Sequence, residues 1–412
     1  MRFKVGSALV LAALLSAGCA NTENKQEISE QLVPLKSVDM RVVNSANAFG
    51  LRMYEQLSKT SPYENRFVSP LSVSTALALA YNGAAEETKE AMGKAMGIDE
   101  IELEQLNDGY HELISRLRRS KTGDTELMIA NSLWMREGKP FHDYFVQRAS
   151  DELFAEATVL DFESSDAVRT MNEWVKDTTS GKITEMVKEV DPGTMLYILN
   201  AVYFQGAWTV PFEPEFTKKD EFIGPRGQAI PVDMMARGGS FEYTVNPDYE
   251  AIRLPYGKYE SAVMTIFLPN EDVGLAELQR SIANKPNLVT EPFEVRQGRI
   301  ELPRVKFEYQ IALNDTLKAL GMEAAFDRNK ADFSLMAPEP PNLFIGNVEH
   351  KTYLELNEQG TTAAAATAIE MMEGAAQPDN LFHMKVNRPF MFAITDQDTG
   401  CILFIGTIAI PT

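Results

Sequence analysis

Glu358-Gln359-Gly360-Thr361-Thr362-Ala363-Ala364-Ala365-Ala366-Thr367-Ala368-Ile369-Glu370-Met371, followed after a variable segment by Arg388-Pro389-Phe390, is the stretch on which the reading of this chain turns. Four consecutive alanines are by propensity the best helix formers available, so one reading is an exposed helical turn. Side-chain alternation favours another. As a strand with a period of two, Thr361, Ala363, Ala365, Thr367, Ile369 and Met371 share one uncharged face, and Glu370 falls on the other. A ribbon with a small uncharged face can enter between two existing strands without burying an unpaired charge, which costs several kcal/mol. Gly360 supplies the pivot, because only glycine turns freely through positive φ.

The 412 residues show no internal repeat, and after about residue 40 no linker-like composition or charge run interrupts them, so 40–412 reads as one large domain. A formal net charge of −20 argues against a nucleic-acid partner, since phosphate binding needs clustered Lys and Arg. At the start, Arg2 and Lys4 precede an apolar run, Val5 to Leu15, too short to span a bilayer, and a small-residue site ends at Cys19. This resembles a bacterial lipoprotein signal peptide over 1–18, with Cys19 lipidated and 19–39 a flexible polar tether. Ser16 stands where that pattern prefers Leu or Val, so an ordinary secretory signal is the alternative. Either reading expects a protein of the cell envelope, lipid-anchored on the periplasmic face or cell surface, or secreted. Cys401, in the apolar run Cys401 to Ile405, is expected to be buried and inert.

Ser69-Pro70 reads as an N-cap with proline at the first helical position, opening an apolar helix that stops at Asn82-Gly83. Further helices are expected at about Glu86 to Met96 and about Val168 to Thr179, the latter with Met171, Trp174 and Val175 on one stripe. Met195 to Gln205 is nearly all apolar, which suits a central strand covered on both faces. Asn200 interrupts it, and a buried amide without partners costs about 1–3 kcal/mol, so it should join a polar network. Strand-like runs also occur at Leu127 to Met135, Ser261 to Leu268, Arg299 to Phe307, Lys351 to Leu356 and Cys401 to Ile410. Mixed helices and long strands indicate an α+β fold on large sheets.

Eight motifs in order resemble the serpins. They are Phe67-Val68-Ser69-Pro70-Leu71-Ser72; Asn131-Ser132-Leu133-Trp134; Asn172-Glu173-Trp174-Val175 with Gly181-Lys182-Ile183; Leu199 to Phe204 with Gly206 and Trp208; Leu254-Pro255-Tyr256; Leu302-Pro303-Arg304; Val348-Glu349-His350-Lys351; and Gly400 to Gly406. The resemblance spans about Ala46 to Thr412 and implies three β-sheets, eight or nine helices and an exposed reactive-centre loop at about 358–382. It implies no turnover enzyme but a suicide substrate: a target protease cleaves the loop, and the freed hinge inserts into the main sheet while the acyl-enzyme is still covalent. The hinge so implied is Glu358, Gly360, Thr361, Thr362, Ala363, Ala364, Ala365 and Ala366. Ser69, Ser72, Asn200 and His350 resemble the shutter beneath the sheet. Trp208, Arg304 and Glu358 resemble the breach, with Arg304 and Glu358 a candidate ion pair.

The resemblance implies a customary distance from Glu358 that puts the scissile bond at Gly374-Ala375, which suits an elastase-like protease; counting back from Pro389 in the same way gives Pro378, so the loop is about four residues longer than the compact family form. Met371, Met372 and Glu373 are neighbouring alternatives, and Met372 suits chymotrypsin- or subtilisin-like enzymes; cysteine proteases are a further class. A non-inhibitory family member, acting as chaperone or ligand carrier, is the alternative function, but such hinges carry bulky, charged or proline residues that this one lacks. No G-x-S-x-G elbow occurs, and His111-Glu112 continues to Leu113, Ile114 and Ser115 rather than to a zinc-protease histidine. His111, His142, His350 and His383 are dispersed, so no metal, cofactor or catalytic triad is expected, and a monomer with proteases as covalent partners is.

Overall fold

The apolar run around Asn200 becomes the strand Leu196–Ala207, in which all but two side chains, Gln205 and Ala207, are buried. The computed structural model describes residues 37–61, 63–119, 125–190, 194–285, 292–338, 343–361 and 381–411. Their strands are β1 (Arg66–Val68), β2 (Thr125–Arg136), β3 (Ala155–Leu160), β4 (Leu196–Ala207), β5 (Lys218–Ile223), β6 (Ala229–Val245), β7 (Tyr249–Tyr256), β8 (Ala262–Pro269), β9 (Glu294–Pro303), β10 (Val305–Ala312), β11 (Val348–Asn357), β12 (Gly360–Thr361), β13 (Phe382–Lys385), β14 (Phe390–Asp396) and β15 (Ile402–Ile408). One sheet has six strands in the order β10-β11-β12-β4-β2-β3, with β11 also pairing directly to β4. The other has nine, in the order β1-β15-β14-β8-β7-β6-β9-β13, with β5 on β6. Two of the three sheets implied by the resemblance are joined in this second one, because β6 runs 17 residues and pairs in turn with β5, β9 and β7.

Most expected elements lie where the patterns put them, and one does not. Arg299 to Phe307 reads as a single strand, but β9 ends at Pro303 in the nine-stranded sheet and β10 begins at Val305 in the six-stranded one. Proline has no N–H to continue a ladder. Arg304, at the crossing, gives its N–H to the Asp233 carbonyl instead (2.9 Å).

The helix Pro70–Gly83 is buried at all 14 positions and packs against β15 of one sheet and β4 and β2 of the other. Such all-round burial is why its sequence is apolar on every face. Its N-cap is Ser69, whose hydroxyl accepts from the Ser72 N–H. On the opposite face of the six-stranded sheet, Met171 and Val175 of the helix Ala167–Thr178 pack with Trp134, Tyr197, Leu199 and Ala201. β4 therefore sends Ile198, Val202 and Phe204 into the main core and alternate residues under this helix. Among the described residues there are eight helical segments longer than one turn, the last (314–326) broken near Gly321, where φ is 104°.

An aromatic relay ties the sheets together: Phe67 stacks on Phe404 (4.7 Å between centroids) and Phe392 (5.6 Å), and Phe404 meets Phe204 (6.0 Å). Gly406 makes room for it, since a Cβ there would come within 2.6 Å of the Arg66 carbonyl and the Phe392 ring. Gly406→Ala is therefore expected to destabilise the fold by about 1–3 kcal/mol through overpacking, lowering the denaturation midpoint at unchanged m-value.

Candidate functional site: the seam between two central strands

β11 and β4 change their relationship along their length. In the lower half they pair directly and in parallel, Val348 with Ile198 through His350 with Asn200 to Thr352 with Val202. Past Asn357 the chain reverses and re-enters the same sheet as β12, where Gly360 and Thr361 lie antiparallel to Asn357 and Leu356 on one side and to Ala207 and Gly206 on the other. Gly360 has φ of 145°, and a Cβ on it would collide with the Gly206 carbonyl and lie 2.8 Å from Ala207 Cα. Only glycine fits both the turn and the gap. Thr361 is fully buried, its hydroxyl 2.7 Å from that of Tyr256.

Beneath the parallel half lies a closed polar cluster. Asn200 Nδ2 donates to the Ser72 carbonyl (3.0 Å), the Ser72 hydroxyl (2.5 Å) and Asn131 Oδ1 (2.7 Å). His350 Nε2 accepts from the Ser69 N–H (3.1 Å), so its Nδ1 bears the proton and donates to Asn200 Oδ1 (2.8 Å). Burial pushes the imidazole pKa down to about 3, keeping it neutral. Ser69, Ser72, Asn200 and His350 thus meet, as the sequence reading grouped them. Asn131 was missed, though it opens one of the motifs quoted above.

The upper end is held by a second cluster. Arg304 Nε lies 2.9 Å from both carboxylate oxygens of Glu358, and Thr217 donates to the same carboxylate (2.5 Å). Burial alone would raise the Glu358 pKa, but these hydrogen bonds outweigh it and hold the carboxyl below its usual range. Trp208 gives its indole N–H to the Asn357 carbonyl (3.0 Å) and its backbone N–H to that of Gln359 (2.9 Å), while the Phe212 N–H reaches the Glu358 carbonyl (2.9 Å). Trp208 also stacks on Tyr256 at 4.4 Å. Trp208, Arg304 and Glu358 come together as grouped; Thr217, Tyr256 and Phe212 were missed, Tyr256 despite its place in Leu254-Pro255-Tyr256.

A turn that feeds its chain into the centre of its own parent sheet, over a polar latch, matches a known architecture. The family model for serpin (serine protease inhibitor) covers residues 44–411. The chain is a serpin. An uncharacterized serpin-like protein of Methanosarcina mazei is 33% identical over 431 residues, covering 100% of this chain and 98% of the relative. Serine protease inhibitor 42Dd of Drosophila melanogaster is 31% identical, covering 87% and 95%. The thermophilic serpin Tengpin in its native state superposes with a TM-score of 0.81 at 32% identity, covering 92% of this chain and 96% of that one. Family membership supports protease inhibition in general rather than turnover catalysis. Among the described residues no group of three or more His, Cys, Asp or Glu is placed to hold a metal ion. The hinge residues Thr362, Ala363, Ala364, Ala365 and Ala366, the bait candidates Met371, Met372, Glu373, Gly374 and Ala375, and Cys19 lie outside the described residues.

Protonating His350 would bury a charge and remove the acceptor of Ser69. Its pKa in the folded state lies below the ordinary value, so its contribution is complete above about pH 6.5 and is lost as pH falls toward 3. Unfolding free energy should fall over this window by up to about 1.4 kcal/mol per pH unit from this group. Urea titrations of the wild type and His350→Gln across pH 3.5–7 check this: the variant should show the shallower slope, and parallel slopes would exclude the histidine as the cause.

Proposed function

We propose that this serpin inhibits proteases as a suicide substrate, with β12 the first two residues of a strand that is completed after cleavage. The observation that supports this most is the position of Gly360 and Thr361, antiparallel to both neighbours above a seam where those neighbours still pair in parallel. The registers on the two sides agree. Continued downward in the proposed inserted state, they would put Ala363 between Leu354 and Phe204, Ala365 between Thr352 and Val202, Thr367 between His350 and Asn200, and Ile369 between Val348 and Ile198. These are the alternate, uncharged residues of the hinge, and each would meet buried neighbours.

Insertion exchanges one parallel interface for two antiparallel ones, and antiparallel pairing is the slightly more stable kind per residue. Thr367 would divide the His350–Asn200 hydrogen bond and offer its own hydroxyl to the separated pair. A strand of about 15 residues carries its end roughly 50 Å, far enough to drag an attached enzyme across the domain. In the trapped state the protease nucleophile has formed an ester (serine) or thioester (cysteine) with the bait carbonyl, the scissile C–N bond is broken and the new amine has left with the proton. Bait at Gly374-Ala375 fits elastase-like serine proteases and bait at Met372 chymotrypsin- or subtilisin-like ones, with Met371 and Glu373 neighbouring alternatives and cysteine proteases a further class. We place the inhibitor in the bacterial cell envelope as a monomer, tethered through a lipid on Cys19.

Incubation with elastase, chymotrypsin, subtilisin and papain should give an SDS-stable complex with at least one of them, and mass spectrometry of the released peptide identifies the bond. Ala365→Arg would force a charge between Thr352 and Val202 on insertion while the two residues of β12 stay unchanged; the variant should be cleaved without forming the complex. A complex persisting at wild-type yield would rule out insertion through this hinge.

A further inference from the structure

Residues 208–212 hold the hinge through the Trp208 and Phe212 amides, and two of them, Thr209 and Val210, also line a cavity of about 550 Å³. Arg237 of β6 lies in its wall. Its guanidinium sits over the rings of Phe241 (4.7 Å) and Phe212 (5.4 Å), and its Nη1 donates to the Val210 carbonyl. Among the described residues no carboxylate lies within ion-pair distance of it, and burial pulls its pKa down to about 10. The other arginine of the cavity, Arg253, already pairs with Glu242 (3.2 Å). Three lining residues are apolar and exposed: Val210 at 43%, Tyr259 at 67% and Val295 at 73%.

An aromatic box around a cation lacking a counter-charge, next to uncovered apolar side chains, has a definite chemical complement. We propose that this cavity binds an organic monocarboxylate with an apolar body, and that the bound acid tightens residues 208–212 on the hinge. A guanidinium has five donors in a planar fork, of which one holds Val210, so a carboxylate can take a free edge with paired, charge-assisted hydrogen bonds. The apolar body covers Val210, Tyr259 and Val295. Glu242 and Glu260 also line the cavity, which disfavours ligands carrying more than one negative charge. Fixing Arg237 fixes Val210, and Val210 stands between the two amides that hold Gln359 and Glu358. The binding itself is independent of the proposed inhibitory function; only a consequence for inhibition rests on that reading.

Calorimetric titration with 4-phenylbutyrate, its neutral amide and 4-phenylbutylamine tests the site. The acid should bind one per chain, with the amide and the amine weaker by at least about tenfold. Arg237→Gln should lose the acid by a similar factor. Arg237 also supports Val210, so Val295→Glu is measured beside it: this exposed substitution leaves Arg237 in place and should weaken the acid by about tenfold as well. With the acid bound, hydrogen exchange of the 208–212 amides should slow. Failure of the wild type to bind the acid at millimolar concentration, equal binding of acid and amide, or wild-type affinity in both variants would overturn the site. Unchanged exchange on saturation would overturn the coupling.

Discussion

Five residue pairs, Val348 to Thr352 against Ile198 to Val202, keep the six-stranded sheet shut, and just above them two residues of the following chain keep it parted. The rest of the molecule is arranged around that boundary. A parallel pair in mid-sheet is normally stabilised by burial on both faces, and here the helix Pro70–Gly83 and the helix Ala167–Thr178 provide it. On the proposed mechanism this well-packed sheet is held in a pairing that is not the best its strands could adopt. What would improve it is an antiparallel ribbon between them, and the chain begins to supply that ribbon at Gly360.

Two polar clusters resist opening, one in the middle of the seam and one at its upper end. In the lower one, His350, Asn200, Ser69, Ser72 and Asn131 satisfy one another inside an apolar core, so parting the strands temporarily strands donors and acceptors worth about 1–3 kcal/mol each. In the upper one, Glu358 is 6% exposed and Arg304 is 44% exposed, so the pair is anchored on the hinge side and open to water on the other. Such asymmetry suits a pivot better than a permanent strut. In the proposed insertion the exchange of partners costs most at Asn200 and His350, in mid-seam.

Much of this was legible in the sequence because it rests on residue types with few other uses. A small uncharged alternation after a glycine, an amide inside an apolar strand and a Ser-Pro helix start each have a narrow physical meaning, and Gly360, Asn200 and Ser69 lie where those meanings put them. The misses have equally physical causes. The passage of Arg304 between sheets leaves no mark on hydrophobic periodicity, since β9 and β10 are both half-buried strands. Tyr256, Thr217 and Asn131 matter through partners 105, 141 and 69 residues away, and no local pattern encodes such distances. Nor does sequence reveal that β12 is already paired on both sides, which depends on the depth of the gap between β4 and β11.

If cleavage drives insertion, the intact sheet is metastable with respect to one containing the whole hinge. Thermal unfolding of the intact chain beside the chain nicked in its reactive loop tests it most directly. An inserted strand predicts a midpoint raised by about 10 °C or more, a large change given that 1 kcal/mol moves a 150–250-residue domain by only about 2–4 °C. Equal midpoints for intact and nicked protein would contradict it.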